Sequence, residues 1–460
     1  MINLKTLNQY IIRTLSYPTG LFDLIETLRS EPYFAVLTST EGGLSHPKFL
    51  NRYTFICTKP FLIVRCKNFK IEIIIDQERR QLQGTPLPVI RDFMKRYQTQ
   101  PQNRVFPFQG GGVGYFSYDF ARYLERLPDL ASDDLNTDDC FFMFFKKVSV
   151  VDHYQKQYFE VNHSEIKHEP LIFPFLSQRE SGTGFRIGEL TSNLTRDEFK
   201  KTVLKTKEYI RAGDIFQANL SQRFTCTFEG DPFKLFQKLI KINPSPFSFF
   251  LRSQDQYVIS CSPERLLKIS GRIIETRPIA GTRRRGQNER EDFELANELV
   301  LNEKERAEHI MLIDLERNDL GRVCHYGSVT VDELMTREKY SHVWHIVSNV
   351  RGQLRDDEDA LDALCATFPG GTITGAPKIR AMQIIEELEP VRRGLYTGSL
   401  GYLDFCGNCD FNIIIRTMIL QDKKIYFQSG AGIVADSDPD REFEETLHKA
   451  EALRLALFQT

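Results

Sequence analysis

The chain has 460 residues, of which 41% are hydrophobic and 27% charged, and its formal net charge is −2. This length suffices for two or three domains or for one large α/β unit. Near-neutrality excludes a broadly basic nucleic-acid-binding surface, and the absence of a run of about 18 apolar residues excludes a membrane span. Nine scattered cysteines and a start without leader-like features predict a reduced, cytoplasmic protein.

The amino-terminal part contains short apolar runs rich in β-branched and aromatic residues, which predict strands. Residues 110–119 are dense in glycine but lack the spacing of a phosphate-binding loop, so we expect a sheet in which backbones approach closely. A polar stretch, 153–182, predicts an exposed connection between an amino-terminal lobe, 1–180, and a second region, 181–460.

The second region alternates helix and strand patterns, which indicates a mixed α/β (α+β) class. Hairpin-type turns between its strands favour antiparallel or mixed sheets, and Cys406 and Cys409 fall in such a turn. Helices are predicted at 292–319, at 375–388 and from Asp438-Pro439 onward, and strands at 276–282, 399–405, 411–420 and 424–428.

The last predicted helix places Glu442, Glu445 and Lys449 on one face, at spacings of three and four residues. A solvated face with ion pairs is one explanation. The glycine-rich segment 429–432 just before the helix favours another, because its backbone N–H groups could hold a carboxylate.

A second acidic helix places Glu305 and Glu308 on one face, with Glu308 at the border of an apolar stretch. Such a carboxylate either pairs with arginine or binds a hard cation. Mg²⁺ takes one or two protein carboxylates and keeps several waters. Glu308 and Glu445 would satisfy that pattern if the fold brings them together.

Two further features have both a structural and a functional interpretation. The loop 368–378 enters a helix amino terminus with two threonine hydroxyls, a plausible anion site without the spacing of a nucleotide-binding loop. His345 alternates with valines in a strand-like segment, which is typical of a buried structural histidine as well as of an acid/base.

Taken in order, these motifs resemble the chorismate-utilising enzymes, and the resemblance is densest from 213–221 to Lys449. It implies a large two-sheet α/β fold with helices on the outside, chorismate as substrate and Mg²⁺ as cofactor. It also implies roles for individual residues. The catalytic residues would be His345, Glu264 and Lys449. The metal ligands would be Glu308 and Glu445, with Glu442 beside them. Substrate would be bound by Gly281, Thr282, Thr372, Tyr396, Arg416, Gly430, Ala431 and Gly432.

The family's tryptophan pocket is matched only in part, by Ser39, Pro246, Phe247 and Ser248. We therefore expect inhibition by tryptophan to be weak or absent.

The resemblance also bears on the branch of the family. Ala280 stands where many aminodeoxychorismate synthases place a proposed nucleophilic lysine, and alanine is the anthranilate synthase pattern. The segments 368–378, 386–394 and 401–408 resemble the aminodeoxychorismate synthases instead. We expect component I of aminodeoxychorismate synthase acting by direct ammonia attack. Anthranilate synthase component I is the alternative, and a catalytically silent binding or regulatory paralogue is a third.

The nitrogen source follows from a missing motif. A glutamine amidotransferase requires a cysteine in a glycine-flanked elbow, and none of the nine cysteines has glycine two residues after it. We therefore expect ammonia to come from a separate glutamine amidotransferase subunit.

Overall fold

The computed structural model describes residues 11–18, 20–39, 52–76, 78–99, 105–163, 184–254, 256–339 and 343–459. Within these residues the chain forms two large sheets, and every strand pair in them is antiparallel. The predicted connection at 153–182 lies mostly in 164–183, outside the described residues.

The first sheet has 13 strands. They are β1 Ile11–Leu15, β2 Tyr33–Thr38, β3 Tyr53–Thr58, β9 Lys147–Asp152, β10 Gln157–Asn162, β11 Arg186–Ile187, β12 Thr191–Ser192, β13 Gln217–Glu229, β14 Phe247–Ser253, β15 Gln256–Ser262, β21 Gly375–Ala376, β24 Thr417–Gln421 and β25 Lys424–Ile433. The order is β1-β10-β9-β3-β2-β14-β15-β24-β25-β13-β11, with β12 and β21 also paired to β13.

The second sheet has 12 strands. They are β4 Leu62–Lys67, β5 Lys70–Ile75, β6 Glu78–Gln83, β7 Gly111–Phe116, β8 Cys140–Phe145, β16 Arg265–Ser270, β17 Ile273–Arg277, β18 Ile279–Arg284, β19 Thr330–Lys339, β20 Val343–Gln353, β22 Ser399–Asp404 and β23 Cys409–Asn412. The order is β18-β20-β17-β16-β23-β22-β7-β8-β4-β5-β6, with β19 paired to β20. Both sheets combine strands from before and after residue 180.

Helices cover the outer faces of both sheets. They are α1 Leu21–Leu28, α2 Pro86–Arg96, α3 Arg196–Arg211, α4 Pro232–Ile242, α5 Glu289–Leu301, α6 Glu303–Gly321, α7 Ala360–Thr367, α8 Lys378–Leu388 and α9 Pro439–Phe458. None of the helices in the described part of the chain is long and apolar enough to cross a membrane.

The core has three layers because both faces of each sheet are covered. Strand β8 shows the alternation: Phe141 and Met143 face the other sheet, whereas Phe142 and Phe144 face the helices that pack on the second sheet. A third cluster packs α1, α4 and α9 against the first sheet. The predicted two-sheet α/β class with helices outside is confirmed.

The glycine-dense segment of β7 is a close approach between strands, as predicted. A Cβ at Gly114 would lie 1.9 Å from the Phe141 carbonyl oxygen, and one at Gly111 would lie 2.0 Å from the Leu403 carbonyl oxygen. The C-x-x-C segment is the turn of the β22–β23 hairpin, also as predicted.

Some predicted elements were too long. The helix expected over 292–319 is two helices, because Asn302 is extended and its side chain caps α6 by accepting from the Glu305 N–H. Helix α8 begins only at Lys378, after the short strand β21. The expected strand 411–420 is β23 and β24, which belong to different sheets. The amino-terminal cap of α9, Asp438 with Pro439, is as predicted.

Candidate active site

His345 lies on β20 opposite Thr282 of β18, at a bulge formed by Gly281. The bulge turns the Gly281 carbonyl toward the imidazole, and His345 Nδ1 donates to that oxygen at 2.8 Å. This hydrogen bond favours the tautomer with the proton on Nδ1. Burial lowers the pKa of His345, and the charges of Arg416 and Lys449 lower it further. The imidazole is therefore neutral at neutral pH.

Glycine is required at the bulge. Gly281 has φ +63°, and a Cβ there would lie 2.7 Å from Leu299 Cδ1 and 2.8 Å from Glu305 Oε2. Its role in placing the histidine's acceptor depends on this backbone conformation. The sequence predicted a tight turn that ends a strand; the structure instead has Pro278 between β17 and β18, with Gly281 inside β18.

Glu264 lies between β15 and β16 and is 7% exposed. Its Oε1 accepts a hydrogen bond of 2.7 Å from the Thr372 hydroxyl, which comes from the loop 368–378. Burial raises the pKa of Glu264 to about 7, although Thr372 and Lys449 act in the opposite direction. The side chain can therefore donate a proton near neutral pH.

Glu308 of α6 and Glu445 of α9 are half-buried carboxylates. Gln217 Nε2 donates to Glu308 Oε1 at 3.2 Å, and Lys449 Nζ lies 2.6 Å from Glu445 Oε1. Burial raises the pKa of Glu308, and the charges of Glu305 and Glu445 add to this effect. The two predicted metal ligands are therefore close enough to interact electrostatically.

The donor chemistry of these two carboxylates fits Mg²⁺. In the described residues no group of three or more His, Cys, Asp or Glu side chains could hold a metal ion. Two carboxylates, from Glu308 and Glu445, provide the hard oxygen ligands that Mg²⁺ prefers, and the ion normally completes its shell with waters and substrate oxygens. Glu442 lies three residues before Glu445 on the same helix and is also half-buried.

Lys449 is the point at which the predicted residues converge. Its charge lowers the pKa of Glu264, of Glu308 and of His345, which lie on three separate elements. Its Nζ donates to the Gly430 carbonyl oxygen at 3.2 Å. The fold therefore gathers these groups around one ammonium.

Arg416 lies in the crossing between β23 and β24, with φ +52°. Its guanidinium donates to the carbonyl oxygen of Lys449. In the described part of the chain no carboxylate lies within 4.0 Å of it, and burial lowers its pKa to about 10. A half-buried guanidinium without a carboxylate partner can pair with an anionic ligand.

The segment Gly430-Ala431-Gly432 lies in β25 against β13 and leaves space for other side chains. A Cβ at Gly430 would lie 2.5 Å from Asn219 Oδ1 and 2.9 Å from the Tyr396 hydroxyl. One at Gly432 would lie 2.5 Å from Gln217 Nε2. The predicted loop is thus a strand, whose small residues admit polar side chains to the site.

Gln217 and Asn219 were missed as site residues in the sequence. Both are buried, and among the described residues neither Gln217 Oε1 nor Asn219 Oδ1 has a hydrogen-bond partner. Their spacing of two on a strand, which puts both on one face, was the available signal. Without the pairing of β13 with β25 that face could not be assigned.

The residues matched to a tryptophan pocket lie at the ends of β2 and β14, where Thr38 pairs with Ser248. Ser39 is 7% exposed, and its hydroxyl has no partner in the described residues. Pro246 and Ser248 are buried, whereas Phe247 is half-buried with the Arg265 guanidinium 5.1 Å from its ring. A binding role for this group stays a prediction.

Eight of the nine cysteines have thiols unsuited to nucleophilic catalysis. Burial raises the pKa of eight of the nine thiols, to about 11 or 12 for Cys66, Cys226, Cys261, Cys324 and Cys365, and raises it also for Cys57, Cys140 and Cys409. A catalytic cysteine needs a lowered pKa.

Comparison with known proteins gives consistent matches along the chain. A model of chorismate binding enzymes matches residues 52–454. Aminodeoxychorismate synthase component 1 of Bacillus subtilis (strain 168) is 43% identical over 442 residues, 93% of this chain and 92% of that protein. Anthranilate synthase component 1 of Acetivibrio thermocellus is 43% identical over 450 residues, 92% and 89% of the two chains. The crystal structure of anthranilate synthase component I from Streptococcus pneumoniae TIGR4 has a TM-score of 0.76 and 33% identity, covering 87% and 91%.

Proposed function

Since the chain belongs to the family of chorismate binding enzymes, we propose that it is component I of aminodeoxychorismate synthase, which converts chorismate and ammonia to 4-amino-4-deoxychorismate. The observation that carries the chemistry is the set of Glu264, His345 and Arg416 around Lys449. The set combines an acid with a pKa near 7, a neutral imidazole and an unpaired guanidinium.

The reaction divides between these groups. Arg416, with Tyr396, binds a carboxylate of the chorismate dianion. Glu264 gives a proton to the C4 hydroxyl oxygen, which leaves as water while the new C–N bond forms at C4 of the ring. The added nitrogen then loses a proton, for which neutral His345 is the base. Ala280 provides no amine for a covalent intermediate, so ammonia attacks directly.

Glu308 and Glu445 would hold Mg²⁺, which supplies positive charge beside a substrate carboxylate when it is bound. Glu445→Gln should weaken Mg²⁺ binding and so raise the Mg²⁺ concentration needed for half-maximal activity about tenfold or more. The matched control is Glu451→Gln, an exposed carboxylate on the same helix that pairs with Arg454. An equal effect of the two variants would contradict the assignment.

The choice of product is supported by the loop 368–378, whose sequence resembles the aminodeoxychorismate branch and whose Thr372 contacts Glu264. Ala280 favours the second candidate, anthranilate synthase component I. Overall similarity does not separate the two, because relatives from both branches are 43% identical to the chain.

The deciding experiment incubates the protein with chorismate, Mg²⁺ and ammonium and analyses the products with and without the lyase that forms 4-aminobenzoate. We expect 4-aminobenzoate only when the lyase is present and no pyruvate before its addition. Anthranilate and pyruvate without lyase would establish the second candidate. No turnover with either ammonium or a glutamine amidotransferase would favour a silent paralogue.

Dependence on a partner is tested with glutamine. The raised thiol pKa values support the absence of a glutaminase in this chain, so ammonium should sustain turnover and glutamine alone should not. Glutamine hydrolysis by the purified chain would disprove the need for a glutamine amidotransferase subunit as ammonia source.

A further inference from the structure

The most completely buried ion pair near the site is that of Arg393 and Glu389, two side chains that are 1% and 5% exposed. Arg393 Nε lies 3.0 Å from Glu389 Oε2 and Nη2 lies 2.8 Å from Glu389 Oε1, a bidentate geometry. A buried pair of this kind adds little net stability over apolar residues of similar volume, so its presence calls for another explanation.

Besides side-chain hydrogen bonds to Thr397 and Ser221, the pair bonds to the backbone of two separate segments. Arg393 Nη1 donates to the Ile373 carbonyl oxygen at 3.0 Å, next to Thr372, and Nη2 donates to the Asn219 carbonyl oxygen at 2.5 Å. Glu389 Oε1 accepts from the Ser221 N–H at 2.8 Å. One ion pair thus fixes the Thr372 loop against strand β13.

The faces of the guanidinium contact two aromatic rings. Arg393 Cζ lies 4.8 Å from the centre of the Tyr118 ring and 5.6 Å from that of Tyr396. Tyr118 is held in turn, because its N–H donates to the Gly394 carbonyl oxygen at 2.8 Å. Arg393 therefore links a buried tyrosine from the amino-terminal part to Tyr396 at the site.

We propose that Arg393, held by Glu389, is a positioning residue that sets Tyr396 for chorismate binding and Thr372 for its hydrogen bond to Glu264. Arg393 itself does not reach the substrate, since its five N–H groups are directed to Glu389, Ile373, Asn219 and Thr397. The part of this role that concerns Glu264 rests on the proposed function. The part that concerns chorismate binding rests only on membership of the family.

The test compares three variants by chorismate titration calorimetry and by steady-state kinetics. Arg393→Lys keeps the positive charge but loses the planar guanidinium that binds Glu389 through two nitrogens. The double variant Glu389→Gln/Arg393→Met removes both charges, so that neither is left unpaired. The control is Arg52→Met/Asp152→Asn, distant from the site. Arg52 likewise binds a buried carboxylate through two nitrogens, and its guanidinium lies 4.8 and 5.7 Å from the Tyr53 and Tyr154 rings.

We expect both site variants to weaken chorismate binding about tenfold or more while they remain folded, and the control to bind within about twofold of the parent. A second readout is the pH profile. The Thr372 hydroxyl lowers the pKa of Glu264, so a displaced Thr372 should move the alkaline limb of kcat to higher pH. Thr372→Val should reproduce that movement.

Unchanged chorismate affinity and an unchanged alkaline limb in the folded Arg393→Lys and double variants would overturn the proposal. Equal losses in the Arg52 control would do the same, since they would show a general effect of removing a buried pair. Because binding is measured without ammonia, failure of the proposed amination does not affect this arm of the test.

Discussion

Two arginines, 23 residues apart in the sequence, show opposite electrostatic arrangements within one site. Arg393 is enclosed by its partner Glu389, two backbone carbonyl oxygens and two tyrosine rings. Arg416 is half-buried, and among the described residues its guanidinium has no carboxylate partner. The first charge is paired without a ligand, whereas the second is the one that we propose a substrate carboxylate pairs with.

The difference separates two ways in which a buried charge serves a protein. A satisfied charge restricts the positions of its neighbours, and an unsatisfied one holds free energy that ligand binding recovers. We therefore expect substitutions at Arg416 to affect binding first. Substitutions that remove the charge of Arg393 should affect folding first, unless the charge of Glu389 is removed as well.

The largest expected effect is from Arg416→Gln, which should lower kcat/KM for chorismate roughly 100-fold or more, because charge-assisted hydrogen bonds to a carboxylate are lost. Its free energy of unfolding should stay the same or rise, since no carboxylate loses a counter-ion.

The single substitution Arg393→Met should instead lower the free energy of unfolding by roughly 3–5 kcal/mol, because it leaves the buried Glu389 carboxylate unpaired. Chemical denaturation together with kinetics measures both. The comparison is broken if Arg416→Gln is the less stable variant.

Glu264→Gln separates function from stability in a different way. We expect kcat to fall about 100-fold or more through loss of the general acid. The pKa of Glu264 is raised to about 7, so the folded state binds the proton more tightly than the unfolded chain does. Glu264 therefore lowers the free energy of unfolding progressively as the pH rises from about 4.5, the ordinary pKa of a glutamate, through about 7.

The amide cannot ionise, so Glu264→Gln should be more stable than the parent at pH 8 and no more stable at pH 4. Thermal unfolding across this range measures the difference. In the parent, kcat should decline above pH 7 as Glu264 loses its proton. A parent and variant with parallel stability curves would show that the buried carboxyl titrates normally.

Gly281→Ala tests the bulge that orients His345. A residue with a Cβ is destabilised by roughly 1–2 kcal/mol in the left-handed conformation. Here the Cβ would also clash with Leu299 and Glu305. We expect that loss of stability and about a tenfold fall in kcat, because the carbonyl that accepts from His345 moves. Gly271→Ala is the matched control: its φ is +65°, and nothing lies within 4 Å of the added Cβ. It should lose stability but keep its activity.

Much of this site could be predicted because its residues occur in ordered motifs. The spacing of Glu442, Glu445 and Lys449 predicts one helical face, and all three lie on α9, where Lys449 pairs with Glu445. The position of Arg416 could not be predicted. Apolar periodicity over 411–420 predicts one strand, and nothing in it reveals that the chain leaves one sheet for the other there.

The Arg393–Glu389 pair was equally hidden. In the sequence these residues lie in a charged segment, which is typical of a solvated surface. Their burial depends on elements that are distant in the chain, Tyr118 from the amino-terminal part and Asn219 from β13. Propensity and spacing describe a residue's own element, whereas burial of a charge is decided by the elements that close over it.

The smallest expected effect concerns Ser39, another buried polar group whose hydroxyl has no partner in the described residues. Ser39 carries no charge, so little free energy is available from filling its hydrogen bond. We expect Ser39→Ala to change the free energy of unfolding by less than about 1 kcal/mol and tryptophan to inhibit weakly or not at all. The neighbouring control Thr38→Val removes a buried hydrogen bond of 2.6 Å to Thr54 and should be the more destabilising. If tryptophan inhibits strongly and Ser39→Ala abolishes the inhibition, Ser39 would be, like Arg416, a polar group whose hydrogen bonding is satisfied by a ligand.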